Sequence, residues 1–204
     1  MAVCYIVGAS PSFTPFTPKT EDFIIAADGG QDALLKMGLF PHLVVGDFDS
    51  SGEPRGVPVL KHPVEKDDTD TSLALAEGKR RGFRTFALYG CTGGRPDHTL
   101  AALQTALGGA KEGCRVFIVG EGMVGTVLFN ESFTFMPKGT VSVLSLSERA
   151  LGVTIEGLKY PLKDATLTSD FPLGVSNEAK EGTATVSVKA GALYLLWEGN
   201  SLPL

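Results

Sequence analysis

Short runs of apolar, β-branched and aromatic residues recur over the first 120 residues of the chain. Because these runs are continuously apolar rather than alternating, they predict strands that are buried on both faces of a sheet. The predicted strands are Val3–Val7, Phe23–Ala27, Leu43–Val45, Val57–Leu60, Thr85–Tyr89 and Arg115–Val119.

Three stretches between these runs carry the spacing of apolar residues that is typical of helices. They are Gln31–Met37, Thr69–Arg81 and Asp97–Leu107, and each is followed by a glycine, which suits the left-handed residue after a helix. Strands that alternate with helices predict an α/β fold with a mostly parallel, open sheet and flanking helices.

The pattern changes after about Gly122. The apolar runs become short and often alternating, turn residues separate them, and no helical period is visible, which predicts a small antiparallel β-sandwich. The predicted strands are Thr126–Phe129, Ser132–Met136, Val141–Ser145, Thr154–Ile155, Thr166–Thr168, Thr183–Lys189 and Ala192–Trp197. We therefore predict two domains, an α/β domain over residues 1–121 and a β-sandwich over residues 122–204.

Composition narrows the classes of function. Hydrophobic residues make up 43% of the chain and charged residues 20%, and the net charge of −5 does not suit a nucleic-acid binder. The one basic cluster, Lys79-Arg80-Arg81, ends a predicted helix and is interpreted as a solvated helix end. No apolar run approaches the ~20 residues that span a membrane. Three scattered cysteines predict reduced thiols, so we expect a cytoplasmic protein.

Acidic residues concentrate after the predicted strands. The segments are Ala27-Asp28-Gly29-Gly30, Gly46-Asp47-Phe48-Asp49-Ser50 and Glu65-Lys66-Asp67-Asp68-Thr69-Asp70-Thr71. In an open parallel sheet the loops at the carboxyl edge share one crevice, where ligands bind. Clustered carboxylates repel one another unless a cation compensates them, and their hard oxygen atoms suit Mg²⁺.

Each acidic segment also has a purely structural interpretation. Asp28 with its following glycine suits a turn, and Asp67 and Asp70 suit the cap and first turn of a helix. Asp47 and Asp49 have less structural justification, because they repel each other and neither is an obvious cap. Three acidic segments at one sheet edge favour a functional site.

A glycine-rich segment, Gly90 to His98, follows the fifth predicted strand and leads into a helix. Paired glycines let a backbone approach phosphates, a helix N-terminus favours anions, and Arg95 adds a planar cation. The segment is not a Walker A loop. His98 suits a catalytic role and a packed position equally. Ser10–Lys19, with three prolines, predicts a long exposed loop that is a candidate mobile flap.

Taken in order, these motifs resemble those of the thiamine pyrophosphokinase family. The resemblance rests on Ala-Asp-Gly-Gly, Gly-Asp-Phe-Asp-Ser, Lys-Asp-x-Thr-Asp, Gly-Gly-Arg-x-Asp-His-Thr-Leu-Ala and the late Val175-Ser176-Asn177. Two features depart from the family. Ala102 stands where many members carry asparagine, and residues 8–18 lack a common Asn-Gly pair.

The resemblance implies an ATP-binding α/β domain and a β-sandwich in a homodimer whose sites lie between subunits. Thiamine would attack the β-phosphorus of ATP and release AMP. Implied Mg²⁺ ligands are Asp28, Asp47, Asp49 and Asp70, and the implied catalytic residues are Asp47, Asp49, Asp70 and Arg95. Lys66, Asp67, Arg95 and Asp97 would line the nucleotide and phosphate site, and Ser176 and Asn177 would contact thiamine.

Three alternatives remain at the level of sequence. A pyrophosphokinase acting on another heterocyclic alcohol, such as a hydroxymethyl pterin, would share the N-terminal motifs. A phosphohydrolase with an aspartyl nucleophile would use Asp47, but that motif should follow the first strand of its core rather than the third. A non-catalytic sensor would bind the ligands without turnover, and the number of matched acidic positions speaks against it.

Overall fold

The computed structural model describes residues 1–11, 13–48, 54, 56–62, 68–120 and 122–203. The chain forms two compact units, Met1–Glu121 and Gly122–Leu204. Asp49, Lys66 and Asp67, which the sequence places in the site, lie outside the described residues. Within the described residues, no helix is long and apolar enough to cross a membrane.

The first unit is built on a parallel sheet. Its strands are β1 (Cys4–Val7), β2 (Phe23–Ala27), β3 (Leu43–Gly46), β4 (Val59–Lys61), β5 (Thr85–Tyr89) and β6 (Arg115–Gly120), in the order β6-β5-β1-β2-β3-β4. All residues of β1, β3 and β5 are buried, as their apolar runs predict. From β1 the chain runs to one side of the sheet and later returns on the other, so the switch point lies between β1 and β5.

Three helices cover this sheet in the described residues: α1 (Gly30–Lys36), α2 (Asp70–Arg80) and α3 (Pro96–Lys111). Gly38 and Gly82 adopt the left-handed conformation predicted after α1 and α2. The predicted end of α3 at Leu107 is wrong, because the helix continues through Gly108 and Gly109. A Cβ on Gly109 would lie 2.8 Å from Val116 Cγ2, so this glycine allows close packing on the sheet rather than ending the helix.

The basic cluster at the end of α2 is paired with acids of the same unit. Lys79 Nζ lies 2.6 Å from Glu112 Oε2, and the guanidinium groups of Arg80 and Arg81 both bind Glu77 at 2.7 Å. The hydrogen bond from Arg80 lowers the pKa of Glu77, although burial opposes the shift. Arg80 and Arg81 remain exposed at the helix end, as predicted, while both pair with the buried carboxylate of Glu77.

The second unit consists of two antiparallel sheets and has no helix in its described residues. Its strands are β7 (Met123–Phe129), β8 (Ser132–Phe135), β9 (Lys138–Ser145), β10 (Arg149–Glu156), β11 (Leu162–Thr168), β12 (Asn177–Glu178), β13 (Ala184–Ser187) and β14 (Ala192–Glu198). One sheet has the order β12-β9-β14-β7 and the other the order β11-β10-β13-β8. Phe135 and Trp197 join them, with ring centroids 4.9 Å apart. The predicted fold class is confirmed.

Candidate functional site

The candidate site begins where the chain leaves β1 and β5. Gly8 N donates a hydrogen bond to Tyr89 O at 2.8 Å, and Ser10 N donates one to Gly90 O at 2.9 Å. A Cβ on Gly8 would lie 2.6 Å from Gly90 O, and Gly90 itself has a φ of 61°. Only glycine permits this crossing of two backbones at the switch point of the sheet.

A cavity of about 560 Å³ opens above this crossing. The loops after β1, β2 and β5 and the first turns of α2 and α3 line it. The lining side chains that carry chemistry are those of Ser10, Asp28, Asp70, Arg95 and His98. Its size and its place at the carboxyl edge are those of a small-molecule site in a parallel sheet.

The acidic segments meet at this edge in part. Asp28 and Asp70 line the same cavity, together with Asp68. Asp47 is half-buried and directly follows β3. The end of β3 lies beside the end of β2, because Asp28 N donates a hydrogen bond to Val45 O at 2.8 Å. Asp28 has a φ of 48° and is half-buried, so its backbone turns sharply as the chain enters the cavity wall.

The carboxylates of this edge suit a hard cation such as Mg²⁺, which prefers oxygen ligands. In the part of the chain that the structure describes, no group of three or more histidine, cysteine, aspartate or glutamate residues is arranged to hold a metal ion. Asp28 and Asp70 nevertheless line one cavity, and Asp49 and Asp67 fall outside the described residues. The donor set fits a cation that keeps several of its waters and binds substrate phosphates as well.

The residue that caps α2 is not the one that the sequence suggests. The N-cap is Thr69 rather than Asp67, and Thr69 Oγ1 accepts a hydrogen bond from Ser72 N at 3.2 Å. Ser72 Oγ in turn donates to Asp68 Oδ1 at 3.0 Å. Asp70 lies in the first turn, where the helix dipole stabilises its charge, and it also faces the cavity.

The start of α3 presents Arg95 to the cavity. Arg95 occupies the N-cap position, no side-chain hydrogen bond from the described residues caps the helix, and Pro96 follows. Arg95 Nη2 lies 2.5 Å from Asp97 Oδ2, and Arg95 Nε donates to Asp97 Oδ1 at 3.2 Å. This hydrogen bond lowers the pKa of Asp97 and raises that of Arg95. A fixed guanidinium at a helix N-terminus is suited to bind phosphoryl oxygens.

The residues of the cavity wall that sequence reasoning did not assign to the site include Ser10, Thr71 and Cys91. Cys91 Sγ donates to Tyr89 O at 3.3 Å and lies 4.0 Å from Thr71 Oγ1. Burial raises the pKa of Cys91 to about 11, so its thiol stays protonated near neutral pH. Thr71 and Cys91 fall within the acidic and glycine-rich segments, but as small residues they carry no chemical signal of their own, and Thr71 lies in the first turn of α2. Their positions follow only from the packing of distant loops.

The second unit places Ser176 and Asn177 beside β9. Ser176 is exposed, has a φ of 59°, and donates its backbone N–H to Ser142 Oγ at 3.1 Å. Asn177 is only 5% exposed, and its Nδ2 donates to Tyr160 O at 2.8 Å. Asn177 Oδ1 accepts from Tyr160 N at 3.0 Å and from Glu178 N at 2.9 Å. The amide of Asn177 is therefore engaged with the backbone at both ends.

Comparison with known proteins gives matches in both units. A family model described as "Thiamin pyrophosphokinase, catalytic domain" matches residues 17–118, and "Thiamin pyrophosphokinase, vitamin B1 binding domain" matches residues 129–193. The thiamine pyrophosphokinase of Bacillus subtilis (strain 168) is 29% identical over 203 residues, which cover 91% of each chain.

Solved structures agree with these sequence matches. The crystal structure of the thiamine pyrophosphokinase from Bacillus subtilis has a TM-score of 0.87 at 25% identity, covering 98% of this chain and 100% of the other. That from Geobacillus thermodenitrificans has a TM-score of 0.85 at 29% identity, covering 99% and 100%. The thiamin pyrophosphokinase from Candida albicans, at 15% identity and a TM-score of 0.77, shares the fold over 96% of this chain and 88% of its own.

Proposed function

We propose, since this chain belongs to the thiamine pyrophosphokinase family, that it transfers the pyrophosphoryl group of ATP to the hydroxyl of thiamine. The products are thiamine diphosphate and AMP. The observation that carries this proposal is a single cavity of about 560 Å³ that is lined by Asp28, Asp70 and Arg95. Two acids for a cation and one fixed cation for phosphates are what a nucleotide polyphosphate requires.

The phosphates of ATP would bind between α2 and α3. Arg95 and the positive end of the α3 dipole provide positive potential for them, and Asp97 orients the guanidinium of Arg95. Lys66, outside the described residues, would add a second cation. The carboxylates of Asp28, Asp47, Asp49 and Asp70 would hold Mg²⁺, which neutralises phosphate charge when bound.

Transfer of the pyrophosphoryl group needs alignment and charge neutralisation more than covalent help from the protein. The hydroxyl oxygen of thiamine attacks the β-phosphorus, the bond to the α-phosphate breaks, and AMP leaves. Arg95 stabilises the negative charge that develops on the phosphoryl oxygens as this happens. Asp97 directs the guanidinium of Arg95 through two hydrogen bonds, although both side chains are mostly exposed.

Thiamine would bind the second unit near Ser176, whose exposed side chain can offer a hydroxyl to the aminopyrimidine. Asn177 supports this site indirectly, because its amide holds the backbone of Tyr160.

We further propose that the chain acts in the cytoplasm as a homodimer. Exposed apolar side chains of the second unit support a homodimer, among them Tyr160 (57% exposed), Phe171 (63%) and Leu173 (53%).

The test is product analysis after incubation of the protein with ATP, Mg²⁺ and thiamine. We expect AMP and thiamine diphosphate in equal amounts, and no product when a chelator removes Mg²⁺. Formation of ADP and thiamine monophosphate would reject the transfer of a pyrophosphoryl group. A hydroxymethyl pterin offered in place of thiamine should not react.

A matched pair of variants links the reaction to the cavity. Asp70→Asn removes a charged oxygen ligand from the cavity and should lower turnover at least ~100-fold, or about 2.7 kcal/mol in the barrier. Asp32→Asn makes the same change in the first turn of α1, at a residue that is not among the described lining residues, and should leave turnover nearly unchanged. Equal turnover in the two variants would contradict the assignment of Asp70.

A further inference from the structure

The loop between β1 and β2 is held against the sheet at three points. At its start, Ser10 N donates to Gly90 O and Ser10 Oγ donates to Thr92 O. At its end, the buried carboxylate of Asp22 accepts hydrogen bonds from Lys19 N at 2.7 Å and from Val3 N at 2.8 Å. The third point is a group of aromatic rings in the middle of the loop.

This aromatic group consists of Tyr5 and Tyr89 on the sheet and Phe13 and Phe16 on the loop. Phe16 stacks on Tyr5 with ring centroids 4.4 Å apart and planes 4° apart, and its ring lies 4.6 Å from that of Tyr89. Phe13 lies farther out, 6.1 Å from Tyr89 and 6.2 Å from Phe16. Burial raises the pKa of Tyr5 to about 12, consistent with a face of the sheet that the loop shields from water. Phe16 is therefore the central contact of the loop.

Tyr5 and Tyr89 share one face of the sheet. In the parallel pairing of β1 with β5, Tyr5 is opposite Ala87 and Val7 is opposite Tyr89, so side chains two residues apart point the same way. A loop with two phenylalanines covers this face, as a helix does in other parts of an α/β fold. The sequence interpretation of Ser10–Lys19 as an exposed loop or flap is thus wrong for its phenylalanines, which are half-buried.

The same loop forms one wall of the cavity. Ser10 and Pro11 line it and lie beside the glycine-rich turn before α3: Ser10 Oγ donates to Thr92 O, and a Cβ on Gly94 would lie 3.2 Å from Ser10 Oγ and 3.4 Å from Pro11 Cδ. Arg95 is the next residue of that turn. A shift of the loop would therefore move the turn that presents Arg95 to the cavity.

We propose that Phe16 is a positioning residue for the phosphate side of the cavity, which fixes Ser10, Pro11 and through them the turn at Gly94 and Arg95. Phe16 is not among the described residues that line the cavity, so it acts through the loop that it anchors on Tyr5 and Tyr89. The identity of the ligand as ATP rests on the proposed function, whereas the coupling between Phe16 and the turn rests on packing alone.

The experiment compares Phe16→Ala with Phe16→Tyr and with Phe40→Ala. Phe16→Tyr keeps a ring that stacks on Tyr5, and Phe40 is a matched control because it is 70% exposed and is not among the residues that line the cavity. The first readout is hydrogen exchange of backbone amides in the full-length protein without nucleotide. Phe16→Ala should speed exchange at Ser10 and in the turn at residues 92–95, while Phe16→Tyr and Phe40→Ala keep the wild-type rates.

The second readout is steady-state kinetics at a temperature where every variant is folded by circular dichroism. Phe16→Ala should raise KM for ATP about tenfold and leave KM for thiamine unchanged, because a small displacement of phosphate-binding groups weakens their contacts. Phe16→Tyr should restore the wild-type KM for ATP. A merely structural role would lower the amount of folded enzyme without separating the two KM values.

The outcomes separate the two proposals. Unchanged exchange at residues 92–95 in Phe16→Ala overturns the positioning role, and so does faster exchange with an unchanged KM for ATP. If wild-type protein fails to turn over ATP, the proposed function falls, and the exchange data still decide whether Phe16 positions the turn.

Discussion

At the scale of single residues, Asn177 shows how a side chain that resembles a ligand contact can be occupied within the protein. Its amide makes three hydrogen bonds to backbone groups of Tyr160 and Glu178, and the residue is only 5% exposed. Ser176, beside it, is exposed and offers a hydroxyl. The two residues, predicted together as thiamine contacts, therefore have different physical roles.

These roles predict that substitutions at the two positions lower stability and thiamine affinity to different extents. Asn177→Ala leaves buried backbone donors and acceptors without partners and should lower the free energy of unfolding by about 2–3 kcal/mol. Thiamine affinity should fall with it, because the Tyr160 segment loses its anchor. Ser176→Ala should weaken thiamine binding about tenfold or less, or up to about 1.4 kcal/mol, with little change in stability.

Denaturant unfolding and calorimetry with thiamine and ATP measure these quantities. Asn200→Ala, at an exposed asparagine, is the control and should change neither stability nor affinity. ATP affinity should be unchanged in all three variants. Wild-type stability in Asn177→Ala would show that the three hydrogen bonds contribute little and would contradict this assignment.

The acidic residues of the site could be predicted from sequence because Asp28 and Asp47 follow buried strands, Asp70 opens α2, and the parallel sheet brings such segments to one edge. Asp28 and Asp70 do line one cavity. Ser10 and Cys91 could not be predicted, since their places depend on a loop that packs on Gly94 and on a thiol that bonds to Tyr89 O. Long-range packing of small residues leaves no periodic signal in the sequence.

At the scale of elements, continuous apolar runs predicted the buried strands well, and strands with exposed residues were predicted too short. The predicted strand Thr154–Ile155 is the end of β10, which begins at Arg149 and includes register shifts against β11. Lys163 and Asp164 are consecutive exposed residues of β11, and they interrupt the alternation of apolar and polar residues in that strand. Bulges and exposed polar residues break the period of two on which such predictions depend.

The crossing of the segments after β1 and β5 gives an element-scale prediction. Gly90→Ala combines a left-handed backbone with a Cβ that would lie 2.5 Å from Gly8 O. Gly113→Ala has the same kind of backbone, with a φ of 77°, but no atom of the described residues lies within 4 Å of its Cβ. The free energy of unfolding of the control should therefore fall only by the cost of backbone strain, about 1–2 kcal/mol.

Gly90→Ala should lose more stability than Gly113→Ala, because Gly8 must move as well. Its affinity for ATP should also fall, since Gly90 lines the cavity. Denaturant unfolding of both variants and calorimetry with ATP measure these effects. Equal losses of stability, with unchanged ATP affinity in Gly90→Ala, would mean that the two segments separate at no cost and that their crossing does not shape the cavity.

At the scale of the whole molecule, the change of pattern after about Gly122 predicted the α/β unit and the antiparallel sandwich correctly as classes of fold. That prediction succeeds because burial on both faces and burial on one face leave different patterns of apolar residues. The sequence pattern does not indicate what covers the exposed apolar side chains of the second unit. Tyr160, Phe171 and Leu173 are each more than half exposed, and they lie in or beside the loop that leads to Ser176.

A homodimer that buries these side chains is the last prediction. Exposed apolar side chains gain about 25 cal/mol for each Å² that leaves water, so a contact between two copies of the second unit would be favoured. Leu173→Glu would place a charge in that contact and should shift the protein toward monomer in sedimentation at micromolar concentration. If the sites lie between subunits, as the family resemblance implies, turnover should fall in proportion to the monomer fraction.

Phe40→Glu, a similar change at an exposed position of the first unit, should leave both assembly and turnover unchanged. A wild-type chain that sediments as a fully active monomer would refute the dimer, and an unshifted Leu173→Glu dimer would place the contact elsewhere.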